Sequence, residues 1–369
     1  MSRAATCENP VAQQTEIVDR CPACAGKESA ASFVARDKLY GLPGEFPVVE
    51  CTDCGLIYLS ERPTPLTLAA YYPADYYAYK PPAAHSLFER TGGRAALWYG
   101  IKKSVLAHQY GYRHFGGSRF ISSVTRLPLL GPLRRQATFA LDVLLHPFVE
   151  GGSLLEIGCG SGMYLDLMRA LGWRRVVGVD TSAKAIAQAE QRLALEVYCG
   201  QLKDAGFADE SFDAASLSHT LEHVAEPAAL LAELHRILKP GGRAAIVVPN
   251  AESLAARRFG ADWFHLDAPR HLINFTRPSL GAALRRAGFL VEAMTTRTNG
   301  SYEVALRSEL GRAGEVHAGG EPLPPQPLGR RAGALLLSLR ERALCGLGYA
   351  AGEELLVAAR KPRREGGLV

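Results

Sequence analysis

Three glycines at alternate positions, Gly158, Gly160 and Gly162, follow an apolar run, Ser153 to Ile157, that carries one carboxylate, Glu156. A strand running into such a turn and then into a helix leaves backbone N–H groups open to a ligand. A backbone without side chains also lets that ligand approach closely. Met163 to Leu171 reads as the helix, and Val176 to Val179 as a second strand that ends on Asp180. An acid at that strand end can accept hydrogen bonds from ribose hydroxyls, so the stretch has the pattern of a nucleoside site. A tight strand-to-helix turn in any α/β domain would share the glycines. The two acids, Glu156 and Asp180, favour the ligand site.

Histidines cluster further on. Ser218-His219-Thr220-Leu221-Glu222-His223-Val224 closes the fourth strand of the alternating region. Imidazole suits proton transfer because its ordinary pKa lies near neutrality. The bland alternative is that Glu222 and His223 cap the helix beginning near Pro227; a divalent cation held by the same pair is another. After the fifth strand, residues 262–276 mix aromatic, imidazole and guanidinium groups. There Arg270 could grip a substrate anion bidentately and His265 or His271 could serve as base. A folded flap that only excludes water is the plainer reading.

Cys21-Pro-Ala-Cys24 and Cys51-Thr-Asp-Cys54 form two CxxC knuckles, with 26 residues between them. Two such turns complete a tetrahedral S₄ site, the geometry zinc prefers. With four protein ligands no position stays open, so the metal is expected to be structural. A redox pair or unligated core cysteines are the alternatives. Tyr71, Tyr72, Tyr76, Tyr77 and Tyr79 follow, either as a wall for substrate stacking or as a packed bridge.

From Ser153 strands and helices alternate regularly, the pattern of a doubly wound parallel sheet. Strands are expected at Glu196–Cys199, Phe212–His219, Arg243–Pro249, Leu290–Thr296 and Glu354–Ala359. Helices are expected at Leu133–Val149, Pro227–Leu238 and Pro278–Ala287, with an apolar one at Gly333–Leu347. That last helix, interspersed with arginines, reads as a lid, a dimer face or an interfacial membrane helix.

The chain of 369 residues exceeds one ordinary α/β domain, and 47% apolar against 21% charged residues suits a packed interior. Net charge is +5, too small for a committed nucleic-acid binder. The surplus sits between Ser86 and Glu150, where nine Lys/Arg face three acids. Basic and aromatic residues there, such as Trp98 and Tyr110, suit an anionic partner: a lipid headgroup surface, a nucleotide-linked or lipid-linked substrate, or RNA; a solvated helical cap is the alternative. A polar N-terminus without an apolar h-region, and eight cysteines, give cytoplasmic residence as the expectation, with peripheral contact at the inner membrane surface left open. Oligomeric state is not legible.

The GxGxG spacing behind Glu156 resembles motif I of class I S-adenosylmethionine-dependent methyltransferases. Leu221-Glu222-His223-Val224 is similar to the post-strand motif of a group that includes ubiquinone-pathway and sugar methyltransferases. With the two knuckles, the tyrosine bridge and Pro269-Arg270-His271-Leu272, the chain resembles bacterial methyltransferases of sugar and glycan pathways that carry a zinc module. The resemblance implies a Rossmann-like, mostly parallel seven-stranded sheet. It also implies S-adenosyl-L-methionine as cofactor and a structural zinc on Cys21, Cys24, Cys51 and Cys54. Glu156 would orient the glycine loop, Gly158, Gly160 and Gly162 would pack on the methionine part, and Asp180 would hold the ribose. Gln201 would meet the adenine amino group, in a place where the family often has Asp. His219 would lie beside the cofactor and His223 would act as base. The acceptor implied is a sugar, glycan precursor or related small molecule, with oxygen methylation ahead of carbon methylation because no large domain follows the last strand. RNA methylation and a non-enzymatic scaffold on a membrane surface are the alternatives. The expected division is a tail at 1–17, a zinc module with its bridge at 18–80 and a basic helical segment at 81–135. A catalytic core at 136–298, a lid or interfacial insertion at 299–352 and a last strand with tail at 353–369 complete it.

Overall fold

The computed structural model describes residues 14–73, 93–138, 141–315 and 322–364. Tyr76, Tyr77 and Tyr79, and most of the expected N-terminal tail, lie outside them. Five short strands come first: β1 (Thr15–Ile17), β2 (Ser29–Ala35), β3 (Phe46–Cys51), β4 (Ile57–Leu59) and β5 (Glu61–Pro63). β1 falls inside the stretch read from sequence as tail, but it pairs antiparallel with β5. After α1 (Pro65–Leu68), three helices fill the basic segment: α2 (Gly93–Gln109), α3 (Arg119–Val124) and α4 (Gly131–Ala137). The single helix expected over Leu133–Val149 is not formed. Pro147 keeps the residue before it out of the helical region, and α4 stops at Ala137.

The alternating region then gives β6 (Ser153–Ile157), α5 (Met163–Ala170), β7 (Arg175–Asp180), α6 (Ala183–Leu193), β8 (Glu196–Cys199), β9 (Phe212–Ser218), α7 (Pro227–Ile237) and β10 (Leu238–Pro249). After it come α8 (Leu254–Phe259), β11 (Ile273–Asn274), α9 (Arg277–Arg286), β12 (Leu290–Arg297), α10 (Ser301–Arg312), α11 (Leu328–Gly346) and β13 (Glu354–Arg360). Local chemistry sets the ends. Pro227 opens α7, Ser182 caps α6 through the Ala185 N–H, and Thr276 and Ser279 form a capping box on α9.

Seven strands form one sheet in the order β12-β13-β10-β9-β6-β7-β8. Neighbours from β10 to β8 run parallel, and β13 runs antiparallel to both β10 and β12. Continuous apolar runs such as Ala244–Val248 are buried because helices cover both faces. The order reverses between β6 and β9, so the crevice at their C-terminal ends is where a ligand belongs. This is the doubly wound, Rossmann-like sheet expected from sequence.

The cysteine region is not a free-standing module. β2, β3 and β4 make a four-stranded sheet whose fourth member is β11, from the segment after β10; Ile273 pairs with Tyr58 and Asn274 with Ile57. One hydrophobic core runs from Phe46 and Leu59 through Ile273 and Phe275 to Leu217 and Ile246.

Candidate active site

The glycine turn closes the C-terminal end of β6. Gly158 has φ +74°, and a Cβ there would stand 2.2 Å from Thr220 Oγ1, so only glycine fits between turn and β9. Gly160, at φ +51°, is the reverse: an added Cβ would meet nothing within 4 Å, because the backbone faces open space. Gly162 is the residue before α5, packed against Leu195. Asp180 braces the turn. Its Oδ2 accepts the Gly160 N–H at 2.8 Å and its Oδ1 accepts the Ser182 N–H at 2.8 Å. Each oxygen keeps a second lone pair for a ribose hydroxyl.

Glu156 lies buried below the turn, and its Oε2 has no hydrogen-bond partner. Burial, and then the Asp180 charge, hold its pKa well above the carboxylate range. Loop orientation, which the resemblance gives to Glu156, falls instead to Asp180. An open glycine backbone, an orphaned buried carboxyl and a free side of Asp180 suit a cationic nucleoside such as S-adenosylmethionine. Gln201 stands exposed one residue beyond Gly200, at the end of β8, on the far side of Asp180 from the turn.

The histidines gather across β9 from the turn. His219 takes φ +51°, strained for a side chain that is not glycine, and its ring lies between two acids. Nε2 is 2.9 Å from Glu354 Oε1, and Nδ1 is 3.4 Å from Glu222 Oε1. About two fifths of the side chain, 39%, meets solvent. Burial works against its charge, but Glu222 and Glu354 outweigh burial and push His219 up to about 10. Glu354 is pulled down to about 2; burial opposes this, while His219 and Arg297 overcome it. His219 is therefore an imidazolium at neutral pH and cannot serve as base.

His223 is held differently. Its Nδ1 lies 3.0 Å from the Arg270 carbonyl and 3.1 Å from the Tyr72 hydroxyl. A carbonyl only accepts, so Nδ1 carries the proton and Nε2 keeps its lone pair. His271 repeats the arrangement, with Nδ1 2.7 Å from the His265 carbonyl. The two rings meet edge to face, 4.6 Å between centroids. Burial first, and then the nearness of the His223 ring, keep the pKa of His271 well below the usual range, so it stays neutral. Glu222 lies under both, with neither carboxylate oxygen hydrogen-bonded. Glu222, His223 and His271 each offer a ligand atom within 4.8 Å of the others, the composition of a two-histidine, one-carboxylate cation site. His265, the other candidate base, is pushed down to about 4 by burial and by His219, and it faces Glu353 rather than the cluster.

Arg270 does not grip a substrate. It is fully buried, bidentate to Asp37 (Nη1 to Oδ2 3.1 Å, Nη2 to Oδ1 2.5 Å), bonded to Asp267 and to the Tyr71 carbonyl. Every face of the guanidinium is taken because a buried cation needs acids around it. Its role is to lock the loop after β2 to the segment that carries His271. Among the cysteines, Cys21 Sγ lies 3.6 Å from Cys54 Sγ, and Cys24 Sγ lies 3.5 Å from Cys51 Sγ. A tetrahedron with metal–sulfur bonds of about 2.3 Å has edges of about 3.8 Å, so the four thiols have the spacing of one metal site. Tyr71 is buried with its hydroxyl on the Pro43 carbonyl, as a packed bridge, while Tyr72 reaches the site. Sequence reasoning missed Tyr72 as a partner of His223, and Glu354. The antiparallel course of the last strand was the signal for Glu354, since it brings that strand's first residue to the ligand end of the sheet.

The Methyltransferase domain family matches residues 132–293. A ubiquinone biosynthesis O-methyltransferase of Stutzerimonas stutzeri is 31% identical over 159 residues, 40% of this chain and 68% of the relative. The chain belongs to the S-adenosylmethionine-dependent methyltransferases. Another ubiquinone biosynthesis O-methyltransferase, from Maricaulis maris, is 33% identical over 160 residues, 40% of this chain and 62% of its own length. An uncharacterized 37.1 kDa protein in transposon TN4556 of Streptomyces fradiae is 40% identical over 141 residues, 36% of this chain and 40% of that one. The chain spans less than two thirds of the latter two. The family match begins after the cysteine region, so the sheet shared by β4 and β11 lies partly outside the methyltransferase core.

Proposed function

We propose that this protein transfers a methyl group from S-adenosylmethionine to an oxygen of a small acceptor, a sugar or glycan precursor. The observation that carries the reading is His223, with Nδ1 fixed as a donor to a backbone carbonyl and Nε2 left as a lone pair across β9 from the glycine turn. Gly158, Gly160, Gly162 and Asp180 would hold the cofactor, with Glu156 below it and Gln201 at the adenine end. When bound, the cofactor supplies an activated methyl group. His223 takes the proton of the acceptor hydroxyl on Nε2, and Glu222 beneath it balances the imidazolium. Neutral His271 accepts a hydrogen bond from the acceptor, and Tyr72 with the Arg270 carbonyl fixes the ring plane. His219, already charged, anchors β13 and takes no part in proton transfer. Relatives named as ubiquinone biosynthesis and malonyl-[acyl-carrier protein] O-methyltransferases support oxygen as the atom. The four thiolates would hold a structural zinc that keeps β3, β4 and hence β11 in register.

Incubation with nucleotide-sugars and phenolic acceptors, following S-adenosylhomocysteine by mass spectrometry, tests the reading. Turnover with a sugar and loss of it in His223→Gln is expected. Turnover only with a phenol would remove the sugar acceptor, and undiminished turnover in His223→Gln would remove the base. The Glu222, His223 and His271 trio favours a second reading, in which a divalent cation holds the acceptor oxygen; turnover abolished by chelator and restored by magnesium, with the thiol-bound zinc still present, would select it.

A further inference from the structure

We infer that the outer face of α11 and the arginine-lined groove beside it form a docking surface for an anionic lipid bilayer. α11 is held to the molecule by one side only. Ala334, Leu337, Ser338 and Glu341 are buried, and Glu341 Oε1 accepts from Ser301 Oγ at 2.8 Å and from the Glu353 N–H at 3.1 Å. On the opposite side Leu328, Ala332, Leu335, Leu336, Leu339 and Ala343 are all exposed. At about 100° per residue these six fall within about 100° of the circumference, an unbroken apolar stripe. Arginines border it on both sides, Arg331 and Arg342 along one edge and Arg340 along the other. The helix's one carboxylate, Glu341, is buried.

Arg340 leads into a groove of about 760 Å³ that Arg257, Arg277 and Arg285 also line, with Met294, Leu344 and Tyr349 as its apolar wall. Among the described residues, the side chains of these four arginines, and of Arg331 and Arg342, make no hydrogen bond or ion pair. Arg243, Arg297, Arg307 and Arg360, by contrast, are each paired with a glutamate. Glu252, the groove's single acid, accepts the Arg277 backbone N–H.

An apolar stripe edged by unpaired cations is the arrangement that lies in the plane of a bilayer, leucines among the acyl chains and guanidinium groups at lipid phosphates. A second copy fits less well, since pairing two such stripes sets arginine border against arginine border. Among the described residues no helix is long and apolar enough to cross a membrane, so contact would be at the surface. Tyr349, Ala350 and Ala351 line the groove, while Glu353 and Glu354 of the same segment face His265 and His219. A docked bilayer therefore lies one short segment from the histidine cluster.

Flotation of the full chain with vesicles tests this independently of methyl transfer. The protein should float with vesicles of equal phosphatidylglycerol and phosphatidylcholine, stay behind with phosphatidylcholine alone, and release as salt is raised. Replacing Leu335 and Leu339 by glutamate should cut partition more than about tenfold. Arg257→Gln and Arg285→Gln should each cut it about fivefold. S-adenosylhomocysteine binding and melting temperature should stay unchanged in all of them, which separates lost docking from lost folding. Native protein that ignores anionic vesicles would overturn the proposal. So would a light-scattering mass that falls from dimer to monomer in the leucine double variant, which would give the stripe to a second copy.

Discussion

The two halves of the cleft are built on different plans. The half assigned to the donor is one contiguous stretch, Glu156 to Asp180, in which backbone and two carboxylates would do the holding and space is left open. The acceptor half draws on five distant pieces: Tyr72, the Glu222–His223 turn, the His265–His271 segment, Asp37 through Arg270, and Glu354. Many of its polar groups are paired with one another, and the openings left are imidazole lone pairs and the Glu222 carboxylate. Cofactor binding can thus be fixed locally, whereas acceptor chemistry depends on the cysteine region being seated on the core.

The largest separation of the halves is expected from His223→Gln, with turnover down about 10²- to 10⁴-fold and S-adenosylhomocysteine affinity unchanged. Calorimetric titration beside a turnover assay checks it, and a parallel loss of affinity would show the halves to be one unit. Next comes Arg270→Met, which leaves Asp37 and Asp267 buried without their cation. It should destabilise the protein by about 3–5 kcal/mol in denaturant melts. If the halves are independent below the transition, cofactor affinity will persist.

A pH effect of intermediate size belongs to the acceptor half. His219 is raised to about 10 in the folded protein from an ordinary 6.5, so its contribution is complete below about 6.5 and is lost as pH rises through 10. Glu354, lowered to about 2 from 4.5, contributes above about 4.5 and loses this as pH falls through 2. Between pH 7 and 9.5 the melting temperature should therefore decline, and Glu354→Gln should flatten that decline. An unchanged slope in the variant would break the assignment. The smallest effect is in the donor half. Glu156→Gln removes a buried carboxyl held against its charge, and should raise the melting temperature of the ligand-free protein by about 1–2 °C, near 1 kcal/mol at this size. It should also weaken cofactor binding, the mark of a group kept for its ligand rather than for the fold.

Legibility followed the same division. The glycine turn, Asp180, the seven strands and the helix at Pro227 were readable because each signal lies within a few consecutive residues. The cysteine pairs were readable by spacing. Arg270 was misread because its residue type suits an anion equally whether that anion is substrate or Asp37, 233 positions away. β11 escaped because a two-residue strand has no periodicity, and α10 because Arg307 and Gly311 interrupt its apolar spacing. His219 was placed correctly at the strand end, but its charge state depends on Glu354, which only the folded sheet brings near.

The central claim is that the bend after β6 holds S-adenosylmethionine with Asp180 as its brace. Calorimetric titration of purified protein with S-adenosylhomocysteine is the direct test. One site per chain is predicted, weakened at least about tenfold in Asp180→Ala, which strips two backbone amides of their acceptor as well as the ribose contact. No heat with the native protein, or equal affinity in the variant, would contradict it.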